Sequence, residues 1–382
     1  MEPTEFTDIR PYNDDELPAI FEELIADPAF RRVVEGVLPG VPFEQLAQQM
    51  RQCRTKTEFQ KTFCYGILHQ LEDRHTQGVT LDHSALPDKQ QAYLYLSNHR
   101  DITLDSGFLS VLLVEQGMDT VEIAIGDNLL IYPWIQKFVR VNKSFIVQRS
   151  LPMRQMLEAS ARMSRYIHYA IGQKNQSVWL AQREGRAKDA NDRTQESVLK
   201  MLAMGGEGDI IDRLEQLHIA PLAISYEYDP CDYLKAREFQ LKRDNEDYKK
   251  TMQDDLLNMQ TGIFGEKGRV HFQPAPCLNS YLATLDRTLP KQELYAAIAA
   301  HIDRQIHQNY RLYPGNYVAH DLLYASTGQA AHYTPQEKQQ FTDYLDRQLA
   351  KIDLPDKDEP FLRQKLLLMY ANPLTNYLAA CP

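Results

Sequence analysis

Residues 98–106, Asn-His-Arg-Asp-Ile-Thr-Leu-Asp-Ser, bring a histidine, an arginine and two carboxylates together just after a short apolar run, Tyr93–Leu96. A histidine that takes a proton from a hydroxyl needs its second ring nitrogen held by an acceptor, best a carboxylate. That partner sets the tautomer and stabilises the imidazolium, and such base catalysis is worth roughly 10²–10⁴-fold. His99 is the candidate base, with Asp105 or Asp101 as its partner. The same residues also suit a helix-capping aspartate beside a surface histidine. His99-Arg100-Asp101 copies the catalytic loop of protein kinases as well, but Ser106 stands where that loop has Asn. The chain also lacks Asp-Phe-Gly, Ala-Pro-Glu and Val-Ala-Ile-Lys, so the kinase reading is rejected.

Two more charged groupings follow apolar runs. Phe145–Val147 ends at Arg149, whose guanidinium could fork onto a phosphate, although a surface arginine starting a helix at Ser150-Leu-Pro is the plainer reading. Ser177–Ala181 leads into Arg183-Glu184-Gly185-Arg186, followed by Lys188. Glycine there permits a tight turn with close backbone approach, and the alternative is a solvated charged loop. A third run, Ile219–Tyr226, has a proline and no strong chemistry of its own. His/Cys/carboxylate spacing of the kind that holds a metal is absent from these groupings.

The elements that must position these groups alternate. Candidate strands lie at 92–97, 121–126, 144–148, 177–182, 219–226 and 268–273, with helical patterns near 104–116, 132–140, 152–172 and 194–204. That alternation predicts an α/β domain over 85–280 with a mostly parallel or mixed sheet flanked by helices. Residues 1–80 read as a helical N-terminal region, its first 15 residues polar and loosely ordered, and 73–90 as a polar connection. Residues 231–260 are very charged and read as a helical insertion. Residues 281–382 read as a helical C-terminal region, with a capping box at Thr334-Pro-Gln-Glu337 and a last helix over 359–370.

Composition narrows the partners. The 382 residues carry a formal net charge of −10, which argues against non-specific nucleic-acid binding. Apolar runs are far shorter than the ~20 residues of a membrane span. The acidic start lacks a signal peptide's pattern, and five scattered cysteines without a C-x-x-C pair suit a reducing compartment. A cytoplasmic protein, peripheral at most on the inner face of the cell membrane, is expected. Arg140, Lys143, Arg149, Arg154, Arg162 and Arg165 make 140–165 locally basic, a stretch that could face anionic lipid.

The order of the four groupings carries more than any one of them. Asn98-His99-Arg100…Leu104-Asp105, Phe145–Arg149 (preceded by Gly126…Tyr132-Pro133-Trp134), Arg183–Arg186 and Ala220–Tyr226 resemble, in sequence, the four motifs of the glycerolipid acyltransferase superfamily. The resemblance spans roughly 92–275. One departure is that five residues separate His99 from Asp105 where the family has four; the Leu-Asp-Ser context favours Asp105 over Asp101. The resemblance implies transfer of a fatty acyl group from acyl-CoA or acyl carrier protein to a hydroxyl of a phosphorylated glycerol or lysolipid, 1-acylglycerol-3-phosphate before glycerol-3-phosphate. No cofactor or metal is implied. His99 would be the base and Asp105 its orienter, with Arg149, Arg186 and Arg100 binding phosphate. Glu184 would bind acceptor hydroxyls or anchor the loop, and backbone N–H groups near Glu184-Gly185 would stabilise the oxyanion. Phe108, Leu112, Leu129, Leu130, Tyr132 and Trp134 are candidates to line the acyl groove. The alternatives are transfer to another lysolipid, such as an amino-acid-derived one, and a non-catalytic lipid- or acyl-carrier-binding protein on the same fold.

Overall fold

Short β-branched and aromatic runs become seven strands in the computed structural model, which describes residues 3–37, 40–149 and 151–381. Before the sheet come helices α1 (Leu17–Ile25), α2 (Pro28–Val37), α3 (Phe43–Gln52) and α4 (Lys56–Phe59). A π-helical turn, Gln60–Cys64, runs on into α5 (Tyr65–His75). The strands are β1 (Val79–Leu81), β2 (Leu94–Ser97), β3 (Glu122–Gly126), β4 (Ser144–Val147), β5 (Val178–Ala181), β6 (Ile219–Tyr226) and β7 (Val270–Pro274). Between them run α6 (Leu104–Glu115), α7 (Pro133–Val141), α8 (Met153–Gly172), α9 (Glu196–Leu202), α10 (Ile210–Glu215), α11 (Asp232–Asp244) and α12 (Met252–Phe264). After β7 come α13 (Asn279–Leu282), α14 (Lys291–Gln308), α15 (Pro314–Leu323), α16 (Pro335–Ala350) and α17 (Glu359–Ala380). Ser150, read as opening α8, lies outside the described residues.

The sheet order is β1-β7-β6-β2-β5-β3-β4. β6, β2, β5, β3 and β4 are parallel, while β7 runs antiparallel to β6 and carries β1 parallel to itself. The expected α/β class with a mostly parallel sheet is what forms. Period-two alternation divides the side chains. Leu94 and Leu96 pack with α8 and α14 on one face, whereas Tyr93 and Tyr95 pack with Leu104, Phe108 and Leu112 of α6 on the other. β2 lies at the centre, and the chain leaves it first to one side and later returns to the other. Loops at the carboxyl end of such a strand flank a crevice, the usual place for a site in an open α/β sheet.

Three expectations change. The first residues are not loose: Phe6 and Ile9 are buried, and the Ile146 N–H donates to the Ile9 carbonyl at 2.8 Å, so this segment covers the open edge of β4. The supposed polar connection contains β1, paired with Val270–Phe272 of a strand almost 200 residues away, a partner no local pattern announces. The helical insertion read over 231–260 takes the form of a helix pair, α11 and α12, which that reading allows. The last helix runs past 370 to Ala380, through Pro373, because its apolar face packs against α15 and α11.

Candidate active site

Each residue of the loop after β2 has a distinct task. Asn98 is fully buried; its amide donates to the Ile224 carbonyl (2.9 Å) and accepts from the Ile224 N–H (2.8 Å), pinning the end of β2 to β6. Asp101, also buried, accepts from the backbone N–H groups of Thr103 (2.8 Å) and Leu104 (2.7 Å). It therefore starts α6 by satisfying orphan donors and does not touch the histidine ring. Burial, reinforced by Asp105, holds its carboxyl above the usual carboxylate range.

His99 and Asp105 meet. His99 Nδ1 lies 2.8 Å from Asp105 Oδ2, with the histidine side chain 13% exposed and the carboxylate fully buried. The same oxygen accepts the backbone N–H groups of Arg100 (2.7 Å) and Asp101 (3.1 Å). A carboxylate oxygen that takes two backbone donors and faces Nδ1 favours the proton on Nδ1 and leaves Nε2 with its lone pair. The extra residue between the two is absorbed in the turn 100–103, which brings Asp105 into the first turn of α6. Trp179 of β5 packs edge-on to the imidazole at 5.4 Å between centroids and donates its indole N–H to Ser97. Its place beside the ring was missed because Trp179 reads as ordinary strand core; only strand pairing aligns it with Tyr95.

His99 stands in the wall of a cleft of about 1490 Å³. Arg149, Arg183, Glu184, Gly185 and Arg186 line the same cleft. Arg149 is partly exposed and lies 3.5 Å from Glu184. Gly126 sits against Asn128 and the Arg149 guanidinium, where a Cβ would intrude. Gly185 takes a left-handed φ of +65°, the reason glycine suits this turn. The Glu184 N–H, expected as an oxyanion donor, is engaged by Gln195 Oε1 at 2.8 Å. Arg186 donates to Asn258 of α12 (3.1 Å) and to the Arg100 carbonyl (3.5 Å), so the insertion braces it from behind. Lys188 is paired with Glu238 of α11.

Arg100, expected among the phosphate binders, faces the other way. Its side chain is 8% exposed, does not line the cleft, and pairs with the fully buried Asp192 at 2.7 Å. The basic character of 140–165 is likewise mostly spent inside the protein. Arg140 donates to the carbonyls of Arg10 and Thr7, Lys143 pairs with Asp119, Arg162 with Asp8, and Arg165 with Glu5 and Glu158. Arg154 alone of the six stays exposed with no such partner among the described residues.

The apolar part of the cleft comes largely from the N-terminal helices. Phe43, Met50, Phe59, Phe63 and Leu68 line it together with Val111, Leu129, Trp134 and Phe138. Of the six groove candidates, Leu129 and Trp134 line it. Phe108 and Leu112 are core between α6 and the sheet, and neither Leu130 nor the exposed Tyr132 reaches the cavity. The missed walls carry the same signal as a core, apolar residues at helical spacing. Sequence does not distinguish a stripe that closes on a neighbour from one that borders a void.

Residues 69–225 match the family model described as Acyltransferase. No curated protein matches the chain. Among solved structures it is similar to the 1-acyl-sn-glycerophosphate acyltransferase PlsC from Thermotoga maritima, at 10% identity and a TM-score of 0.38, covering 77% of this chain and 94% of that one. The matched segment holds the His99–Asp105 pair, Arg149 and the 183–186 turn. Residues 69–225 are therefore similar to an acyltransferase domain.

Proposed function

We propose that the protein moves a fatty acyl group from a thioester, acyl-CoA or acyl-acyl carrier protein, to a hydroxyl of a phosphorylated glycerol acceptor, with 1-acylglycerol-3-phosphate favoured over glycerol-3-phosphate. The observation that carries this reading is the hydrogen-bonded His99–Asp105 pair standing where an apolar cleft meets three arginines. His99 Nε2 takes the acceptor's hydroxyl proton as the oxygen attacks the thioester carbonyl. The C–S bond then breaks, and the thiolate leaves with the proton held by His99. Asp105 keeps the ring in one tautomer and offsets the imidazolium charge. Arg149 and Arg186, with Arg183 beside them, hold the phosphate; the partial exposure of Arg149 leaves donors free for a ligand.

The cleft volume suits long chains, since ligand pockets generally run from 300 to 1,000 Å³ for much smaller molecules. Val33, Met156 and Phe264 line the cleft and are also 39–49% exposed, an apolar rim from which an acyl chain enters. Contact with a lipid surface at this rim, on the cytoplasmic side, belongs to the same reading. No helix of the described residues is long and apolar enough to cross a membrane.

The test is thiol release from palmitoyl-CoA and palmitoyl-acyl carrier protein, with 1-acylglycerol-3-phosphate, glycerol-3-phosphate and unphosphorylated monoacylglycerol as acceptors. Release that needs a phosphorylated acceptor and disappears in His99→Ala supports the proposal. Equal activity with monoacylglycerol would remove the phosphate from it. Silence of the folded protein with every pair would favour the binding-protein alternative.

A further inference from the structure

Asp105 presents two oxygens, and only one is accounted for. Oδ2 takes three donors, whereas Oδ1 is fully buried with no partner within bonding distance among the described residues. The hydroxyl of Tyr226 is likewise buried and unpartnered. Tyr226 is the last residue of β6, two positions beyond Ile224, which Asn98 grips. That grip sets the end of β6 against the loop after β2, and the Tyr226 hydroxyl faces Asp105, with Asp101 and Asp229 as further carboxylates around it.

Two buried polar atoms, one donor and one acceptor, each lacking any other partner and each facing the other, are not an ordinary core arrangement. A native fold rarely leaves such groups unsatisfied without a functional reason. Catalytic hydrogen bonds are often long before the substrate complex forms and tighten within it. Burial, and then the neighbouring Asp105 carboxylate, push the Tyr226 phenol well above its usual value, so it keeps its proton and acts only as a donor.

We propose that Tyr226 is a positioning residue that donates its hydroxyl hydrogen bond to Asp105 Oδ1 and so holds the carboxylate in the plane of the His99 ring. The chain His99–Asp105–Tyr226 then runs across three elements: the loop after β2, the start of α6 and the end of β6. The tyrosine limits rotation of the carboxylate, which backbone N–H groups on Oδ2 alone do not. It also draws electron density from the carboxylate oxygen that faces the His99 ring. This rests on the reading of His99 and Asp105 given under Proposed function.

The experiment is Tyr226→Phe, which removes the hydroxyl and keeps the ring. The loss of one hydrogen bond to a charged group predicts a kcat about 10–150-fold lower with KM little changed. The acid limb of the kcat/KM profile should move to higher pH by about half a unit, because the carboxylate then keeps that electron density. In an Asp105→Ala background the same change should have no further effect on kcat. An unshifted acid limb, or an equal loss of activity in both backgrounds, overturns the proposal. Replacement by 3-fluorotyrosine, a stronger donor of nearly the same size, guards against a folding defect and should move the acid limb the opposite way. His99→Ala separates the two readings. If that variant stays active, the catalytic reading has failed; if it is dead while Tyr226→Phe behaves as wild type, only the tyrosine proposal has failed.

Discussion

Arg100 and Asp192 are a pair whose energetics can be predicted closely. The guanidinium is 8% exposed and the carboxylate not at all, and their 2.7 Å contact is joined by the Tyr310 hydroxyl, which donates to the same Asp192 oxygen at 2.6 Å. The guanidinium also lies over the Tyr310 ring, 5.7 Å from its centroid. Removing the carboxylate in Asp192→Leu strands a buried charge, a change that costs about 3–5 kcal/mol. That corresponds to roughly 10²–10³·⁵ in the folding equilibrium. Removing both charges in Arg100→Met/Asp192→Leu should recover most of the loss, because a desolvated pair exchanged for apolar side chains is about neutral. Urea unfolding of wild type, Asp192→Leu and the double variant gives the comparison, read as midpoints at constant slope. A loss below about 1 kcal/mol in Asp192→Leu, or a double variant no better than the single, would refute the desolvation reasoning. Acceptor KM in the double variant decides the orientation of Arg100. It should stay within about two-fold of wild type; a rise confined to phosphorylated acceptors would return Arg100 to the phosphate site.

Three further outcomes are expected. Gly262 of α12 packs directly on the Asp101 carboxylate, so the Cβ of Gly262→Ala has no room without moving the residue that starts α6. The variant should lose about 1–3 kcal/mol of stability by thermal unfolding, and kcat should fall. Val111 lines the acyl part of the cleft, and Val111→Trp should lower kcat/KM for palmitoyl-CoA at least ten-fold more than for octanoyl-CoA, at about 0.8 kcal/mol per methylene excluded. His307 is 3% exposed and burial lowers its pKa from 6.5 to about 4. Its folded value lies below its unfolded one, so this contribution is complete above pH 6.5 and is lost as pH falls toward 4, about 3 kcal/mol in all. Urea midpoints across that window should fall less steeply in His307→Gln than in wild type.

The His99–Asp105 pairing was legible because its logic is local. A strand, a histidine and a carboxylate entering a helix lie within the twelve residues Leu94–Asp105, and the helix's own first turn brings Asp105 back to the ring. The order of the strands after it was legible for a similar reason, since each buried strand is a short apolar run bounded by polar loops. Gly185 could be read because left-handed backbone restricts residue type.

Other features depended on which distant surface a side chain meets. Arg100 and Arg149 are both arginines just past a strand, yet Asp192 turns the first inward and the second is left in the cleft. Most of the basic run 140–165 meets acceptors in residues 5–10 and at Asp119, partners far off in sequence. The N-terminal helices look like a closed bundle in pattern and instead wall a cleft, because periodicity records which face is apolar and not what lies opposite it. β1 had too few residues to signal itself and exists through its pairing with β7. The sequence by itself determined the groups that can do chemistry and the local turns that aim them. Tertiary packing decided which of those groups remain free to meet a substrate, since a charge that finds a buried partner is no longer available to a ligand.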